Sequence, residues 1–283
     1  MTDSKLDSEV VMGRPLADTR PQELVDLASR AAEDAGKKLL RLFRGSRRLT
    51  VTRKYDYPGS IVTNADIESE RIILRKIRDS RLSCTVHSEE AGIVDLGSRR
   101  LVWALDPLDG TLNYAKRIPY FAVSIGVLAN GRPVAGVIYN PILDEMYTAA
   151  EGKGARLNGR LIHVSNARTL KDASLTFEWW EGEQAIPDPL EFEKRLYHYT
   201  RRIRSPGSVA LNLCSVASGR FDGFVTVFKK SPIYETAAGC LILEEARGRV
   251  TDSSGNDWRS FAHSILAGGA QIHRQLLSLV PRL

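Results

Sequence analysis

The chain has 283 residues, enough for one large or two modest domains around a substantial core. Its 43% hydrophobic and 26% charged residues match a soluble globular protein, and no apolar run approaches the roughly 18 residues of a membrane-spanning helix. The net charge of +6 leaves anionic substrates or partners open, whereas three scattered cysteines (Cys84, Cys214, Cys240) make neither a disulfide framework nor a metal cluster.

Residues 1–20 are polar, lack the apolar core of a signal peptide and are expected to be disordered; a cytoplasmic location is expected. Leu24, Leu27, Ala28, Ala31, Ala35, Leu39, Leu42 and Phe43 then recur at helical spacing, with Pro21 suited to a first turn and Gly45 to a stop. Residues 37–54 hold eight Lys or Arg and no acid, which reads as a wet helix face or a stripe for an anionic partner. With no aromatic stacking pattern beside it, nucleic acid is not an expected partner. A loop with Pro58-Gly59 precedes a second helix over 66–80, carrying Ile67, Ile72, Ile73 and Ile77. Extended runs at 121–128 and 134–139 flank Asn130-Gly131, a hairpin signal, and Asn158-Gly159 separates two further short strands.

From about residue 168 the pattern alternates. A strand is predicted over 175–177, an irregular acidic excursion with Trp179-Trp180 over 178–195, a helix over 208–217 and an extended run over 224–228. A helix over 235–246 and a buried strand over 265–267 follow. The first half thus reads as α+β and the second as α/β. The expected division is 21–165 as an α+β metal-binding part and 166–283 as an α/β substrate-binding part, packed as one body.

The most informative stretch is 101–114, Leu-Val-Trp-Ala-Leu-Asp-Pro-Leu-Asp-Gly-Thr-Leu-Asn-Tyr. An apolar run delivers Asp106 to the end of a strand, Pro107 turns the chain, and Gly110-Thr111 opens a helix just after Asp109. Paired carboxylates suit hard divalent cations such as Mg²⁺. A helix start offers free N–H groups to an anion. The same residues also make a good solvated turn, so alone they leave both readings open. Four other segments carry acids: Asp66, which reads as an N-cap; the pair Glu89-Glu90; Glu235 at a helix start; and Glu244-Glu245, which reads as exposed.

Together these motifs resemble the magnesium-dependent, lithium-sensitive phosphatases of the inositol monophosphatase superfamily, over about residues 24–266. The resemblance rests on Asp106-Pro107-Leu108-Asp109-Gly110-Thr111, Glu89-Glu90, Thr63-x-x-Asp66, residues 232–239, Glu245-Ala246, and Ser205-Pro206-Gly207-Ser208 with Asn212. It implies a layered α/β/α/β/α sandwich, commonly a homodimer, without a membrane partner. It also implies two to three Mg²⁺: Glu89, Asp106 and the Leu108 carbonyl for one, Asp106, Asp109 and Glu235 for a second, and a loose third beside Glu89. Gly110 and Thr111 would donate amides to the phosphate, and the Thr111 hydroxyl, oriented by Asp66, would help position the attacking water. Glu89 joins Asp66 and Thr111 in the implied catalytic set.

Three positions depart from the family pattern: Glu235 stands for the usual Asp, Tyr234 for Trp, and Arg247 for a Gly, a change that carries strain if positive φ is needed there. The interval 222–235 resembles the archaeal-type branch acting on both fructose 1,6-bisphosphate and inositol phosphate. Substrate contacts are expected from Asp109, Arg204, Ser208, Lys229 and Lys230, the lysines receiving a second anionic group. The expected activity is therefore hydrolysis of a small sugar or polyol phosphate. Another biosynthetic sugar or nucleoside phosphate is the alternative substrate. The rival reading is a weakly active relative that uses its basic face to bind RNA or a polymerase partner.

Overall fold

An apolar stripe and a proline whose missing N–H costs nothing in a first turn start α1 (Pro21–Arg44). Gly45 ends it, its amide donating to the Arg41 carbonyl at 3.0 Å. A two-stranded ribbon, β1 (Val51–Arg53) and β2 (Ile61–Thr63), leads into α2 (Asn64–Asp79). Thr63, not Asp66, is the N-cap. Its hydroxyl accepts from the Ala65 amide at 3.1 Å, and Asp66 reaches back to accept from the Thr63 amide at 2.8 Å, completing a capping box. The structure, a computed structural model, describes residues 20–45, 49–53, 61–179, 189–200, 202–230, 233–260 and 262–280.

Both helices cover one face of a seven-stranded sheet. Its strands, in spatial as in chain order, are β3 (Cys84–Ser88), β4 (Gly92–Asp109), β5 (Ala122–Ala129), β6 (Arg132–Asn140), β7 (Glu145–Ala150), β8 (Ala155–Leu157) and β9 (Arg160–Leu161). The long β4 pairs with β3 twice: residues 92–96 run antiparallel to it and 102–105 parallel. Asn130-Gly131 and Asn158-Gly159 adopt positive φ (50° and 78°, 48° and 79°), giving the two-residue turns predicted for β5–β6 and β8–β9.

The opposite face carries α5 (Val209–Ala217) and α6 (Ile233–Glu245), which separate it from a second, five-stranded sheet. That sheet consists of β10 (Leu175–Trp179), β11 (Ile203–Arg204), β12 (Gly223–Lys230), β13 (Arg249–Thr251) and β14 (Ala262–Gly268), in the order β11-β10-β12-β14-β13. Its outer face is closed by α4 (Pro189–Tyr199) and α7 (Ala270–Leu279), which bury Phe192, Leu196, Ile272 and Leu276. The result is the expected α/β/α/β/α sandwich. The excursion predicted over 178–195 is corrected in part, because residues 189–199 form α4 and the Phe192/Leu196 spacing seats that helix on the sheet. Trp180 and residues 181–188 lie outside the described residues, as do 1–19.

One core unites residues from β5–β8 with α5, α6, β12 and β14, and the division expected near residue 165 falls in the connection between the sheets. At the centre α6 lies directly on the seven-stranded sheet. A Cβ on Gly126 would come within 2.8 Å of the Ala237 Cβ, and one on Gly136 within 2.8 Å of the Ala238 carbonyl oxygen. Among the described residues no helix is long and apolar enough to cross a membrane.

Candidate active site

In a regular strand, residues three apart face opposite sides. Asp106 and Asp109 do not, because β4 is bulged between them. Asp106 pairs with Ser124 and Asp109 with Ala122, so a step of three residues on β4 meets a step of two on β5. The strand therefore continues past Pro107 to Asp109, where the sequence had suggested an end at Asp106. Both carboxylates are turned to the face on which α6 packs, and Glu235 sits in the first turn of that helix.

Gly110 follows at φ 87° and opens the short helix α3 (Thr111–Ala115). A Cβ there would lie 2.9 Å from the Tyr120 carbonyl oxygen and 3.2 Å from that of Gly207, so only glycine fits. Asn113 ties α3 to the far segment, its amide donating to the Pro206 carbonyl at 2.7 Å and the Tyr120 carbonyl at 2.9 Å. The Thr111 hydroxyl lies 3.0 Å from Asp66 Oδ1 and 2.9 Å from the Leu108 carbonyl oxygen, one proton facing two acceptors. Asp66 Oδ2 also accepts from the Thr63 hydroxyl at 2.6 Å. The Asp66–Thr111 pairing expected from the resemblance is thus present as a hydrogen bond.

Asp109 is held from the other sheet's side. The Ser208 hydroxyl and the Ala210 amide (3.0 Å) both donate to its Oδ2, while Ser208 caps α5 by accepting from the Leu211 amide at 3.2 Å. Ser208, expected at the substrate, is committed here to Asp109 and to its own helix. Arg204, also expected there, is exposed with its guanidinium over the Phe221 ring, 5.9 Å from the centroid. Of Lys229 and Lys230 only the backbone, at the end of β12, is described.

The acids sense one another. Burial first, then the charges of Glu89, Asp109 and Glu235 and a hydrogen bond with Glu89, hold the Asp106 carboxyl well above the usual range. Burial pushes Asp109 up to about 7 against the Ser208 and Ala210 donors, and Asp66 up to about 6 against those of Thr63. Ser124, directly across the ladder from Asp106, is fully buried and its hydroxyl has no partner among the described residues. No group of three His, Cys, Asp or Glu side chains among those residues already stands at gripping distance of one ion. The donor set is nevertheless all oxygen and mutually repelling, with Asp106 and Asp109 buried and Glu89 and Glu235 half-buried, so a cation among them would offset the repulsion. Such a set fits Mg²⁺.

Several residues here were not singled out from the sequence. Ser69 donates to the Pro107 carbonyl at 2.6 Å. Glu70 accepts from the Ser88 hydroxyl and the Ala91 amide (2.9 Å). Glu178 on β10 accepts from the Gly207 amide at 2.7 Å and Asn212 at 2.9 Å. The helical i, i+3, i+4 spacing of Asp66, Ser69 and Glu70 was the available signal for the first two. Glu244 and Glu245 are not a free exposed pair: Glu244 meets Arg259 at 2.5 Å, and Glu245 accepts from the Gly152 and Gly154 amides, each at 2.7 Å. Arg247 does carry positive φ, 67°. On the basic face, Lys37 pairs with Glu33 at 2.5 Å and Lys38 with Glu68 at 3.3 Å, while Arg47, Arg48 and Lys54 lie outside the described residues.

A layered sandwich with acids gathered at a bulged strand end next to a short helix defines a class of fold and site. The chain belongs to the inositol monophosphatase family, whose profile matches residues 20–283. It is 34% identical over 260 residues to a Nus factor SuhB of Pasteurella multocida, covering 91% of this chain and 95% of that protein. It is 36% identical over 257 residues to inositol monophosphatase 2 of Solanum lycopersicum, covering 89% and 95%. The solved inositol monophosphatase of Anabaena (Nostoc) sp. PCC 7120 superposes with a TM-score of 0.79 at 36% identity, over 93% of this chain and 98% of that one. These similarities do not single out the archaeal-type branch that the 222–235 interval suggested.

Proposed function

We propose that the protein is a Mg²⁺-dependent phosphomonoesterase of small polyol or sugar phosphates, with an inositol monophosphate as its first substrate and fructose 1,6-bisphosphate as its second. The observation that carries this reading is the bulge at 106–109. It turns two acids that a regular strand would separate toward a third, Glu235, on a helix packed against the same face.

Glu89, Asp106 and the Leu108 carbonyl would hold one ion, and Asp106, Asp109 and Glu235 another. Bound Mg²⁺ supplies charge neutralisation, a clamp on phosphoryl oxygens and water activation near neutral pH. The chain's own groups do the orienting. Asp66 and the Leu108 carbonyl draw the Thr111 proton inward, so the Thr111 oxygen presents lone pairs that accept from the attacking water. The Gly110 and Thr111 amides would donate to the phosphate. Ser208 and Ala210 fix Asp109 so that one of its oxygens stays oriented.

Phosphate release from a panel of esters, scored by kcat/KM with Mg²⁺, tests the reading, with Asp106→Asn as the control. Hydrolysis that Asp106→Asn abolishes and Li⁺ inhibits is the expected result; no hydrolysis of any ester by the wild-type chain refutes it. Lys230→Ala should raise KM for the bisphosphate more than for the monophosphate, and equal effects would remove the bisphosphate from the proposal. A homodimer is the expected state in light scattering.

A second reading draws on the similarity to a Nus factor and on the exposed Arg41, Arg44 and Arg53 beside the paired lysines. In it the basic face binds RNA. Salt-sensitive RNA binding that survives Asp106→Asn would support that role.

A further inference from the structure

Helix α2 buries an apolar stripe, Ala65, Ile73, Leu74 and Ile77, and also a polar one. Asp66, Ser69 and Glu70 are 0%, 0% and 6% exposed. Burying such groups is costly unless each finds a partner. Each does, on a different segment: Asp66 on Thr111, Ser69 on the Pro107 carbonyl, and Glu70 on Ser88 and Ala91.

The Glu70 contacts straddle one turn. Ser88 immediately precedes the Glu89-Glu90 pair and Ala91 immediately follows it; a single oxygen, Oε1, collects the hydroxyl of one and the amide of the other. The turn's backbone is held as well: the Glu89 amide donates to the Leu105 carbonyl at 3.1 Å, and Gly92 returns at φ 68° to pair with Ser88. Glu70 thus ties this turn to the helix already holding Asp66 and, through Ser69, the Asp106–Asp109 bulge.

We propose that Glu70 is a positioning residue: it fixes the Glu89-Glu90 turn at the spacing from Asp106 that a shared divalent cation requires. The proposal rests on the metal-dependent reading above. Magnesium tolerates misplaced ligands poorly, and groups that orient metal ligands typically matter about 10–100-fold in affinity. The role therefore surfaces in cation dependence, while the phosphate-facing amides on α3 are left in place.

The test uses the full chain with Glu70→Ala, Glu70→Gln and Ser88→Ala. Two readouts are taken: the Mg²⁺ concentration for half-maximal hydrolysis of an inositol monophosphate, and the Mg²⁺ concentration that half-completes the rise in Tm without substrate. Glu70→Ala should raise both about 10–100-fold, with KM at saturating Mg²⁺ within about twofold of wild type. Glu70→Gln keeps an acceptor at the Oε1 position and should recover most of the loss. Ser88→Ala should raise both midpoints several-fold, and by no further amount when added to Glu70→Ala. A folded Glu70→Ala with wild-type midpoints overturns the proposal, as does a Glu70→Gln as impaired as the alanine variant. If Glu70→Ala fails to fold, unchanged midpoints in Ser88→Ala overturn it. A wild-type chain with no Mg²⁺ response, or an Asp106→Asn with an undiminished one, sinks the metal reading and this inference together. A normal response in those two with unaffected Glu70 variants sinks the positioning role alone.

Discussion

Asp109 offers a test of what burying a carboxylate in the acid cluster costs. Its side chain is 7% exposed, and burial lifts its carboxyl from 3.8 to about 7 against the Ser208 and Ala210 donors. An acid whose folded pKa is raised binds its proton more tightly in the folded chain. Its effect is neutral below about pH 3.8 and becomes increasingly destabilising as pH climbs through about 7. About three pKa units correspond to about 4 kcal/mol at pH 8 without cations. Asparagine resembles the protonated acid and keeps an oxygen for Ser208 and Ala210. Asp109→Asn should therefore stabilise the cation-free protein by about 2–4 kcal/mol at pH 8 and by almost nothing at pH 4, while abolishing phosphate release. The assay is urea unfolding in EDTA from pH 4 to 8, wild type against variant. A variant less stable than wild type at pH 8, or a difference that does not change with pH, refutes the reasoning.

Glu235→Asp should lower the Mg²⁺ concentration for half-maximal hydrolysis, since the shorter side chain restores the family's usual ligand; an increase counts against placing Glu235 at the ion. Gly126→Ala puts a methyl against the Ala237 Cβ, which should cost about 1–3 kcal/mol in urea unfolding and weaken Mg²⁺ binding by lifting α6, and Glu235 with it, off the sheet. Arg247→Gly relieves a side chain held at φ 67° and should stabilise by about 1 kcal/mol with hydrolysis unchanged, a result that thermal unfolding with a parallel activity assay checks.

Local signals carried most of the elements. Pro21 and Gly45 bound α1, both Asn-Gly turns close hairpins, and Ser208 starts α5 because each effect is settled within a few residues. The acid motif was legible as chemistry and misleading as geometry. Asp-Pro-x-Asp reads as a strand end, whereas β5 continues to pair with it through a one-residue slip. That slip depends on the Ser124 and Ala122 partners, which no spacing within 101–114 encodes.

The residues that escaped notice share one property: their partners are remote in sequence. The partners of Glu70, Ser88 and Ala91, arrive across 18 and 21 positions. Glu178 meets Gly207 across 29. Conversely, Glu244-Glu245 looked solvated because only the fold supplies Arg259 and the amides of Gly152 and Gly154. A carboxylate's role is set by which donors the tertiary structure brings to it. Helical periodicity reveals such a role only where polar residues fall on a face that should be apolar, as at 66, 69 and 70. Buried acid on the inward stripe of a helix is therefore a sharper pointer to a site than acid in a turn, because an inward carboxylate must find partners or cost stability, while a turn leaves it free to meet water.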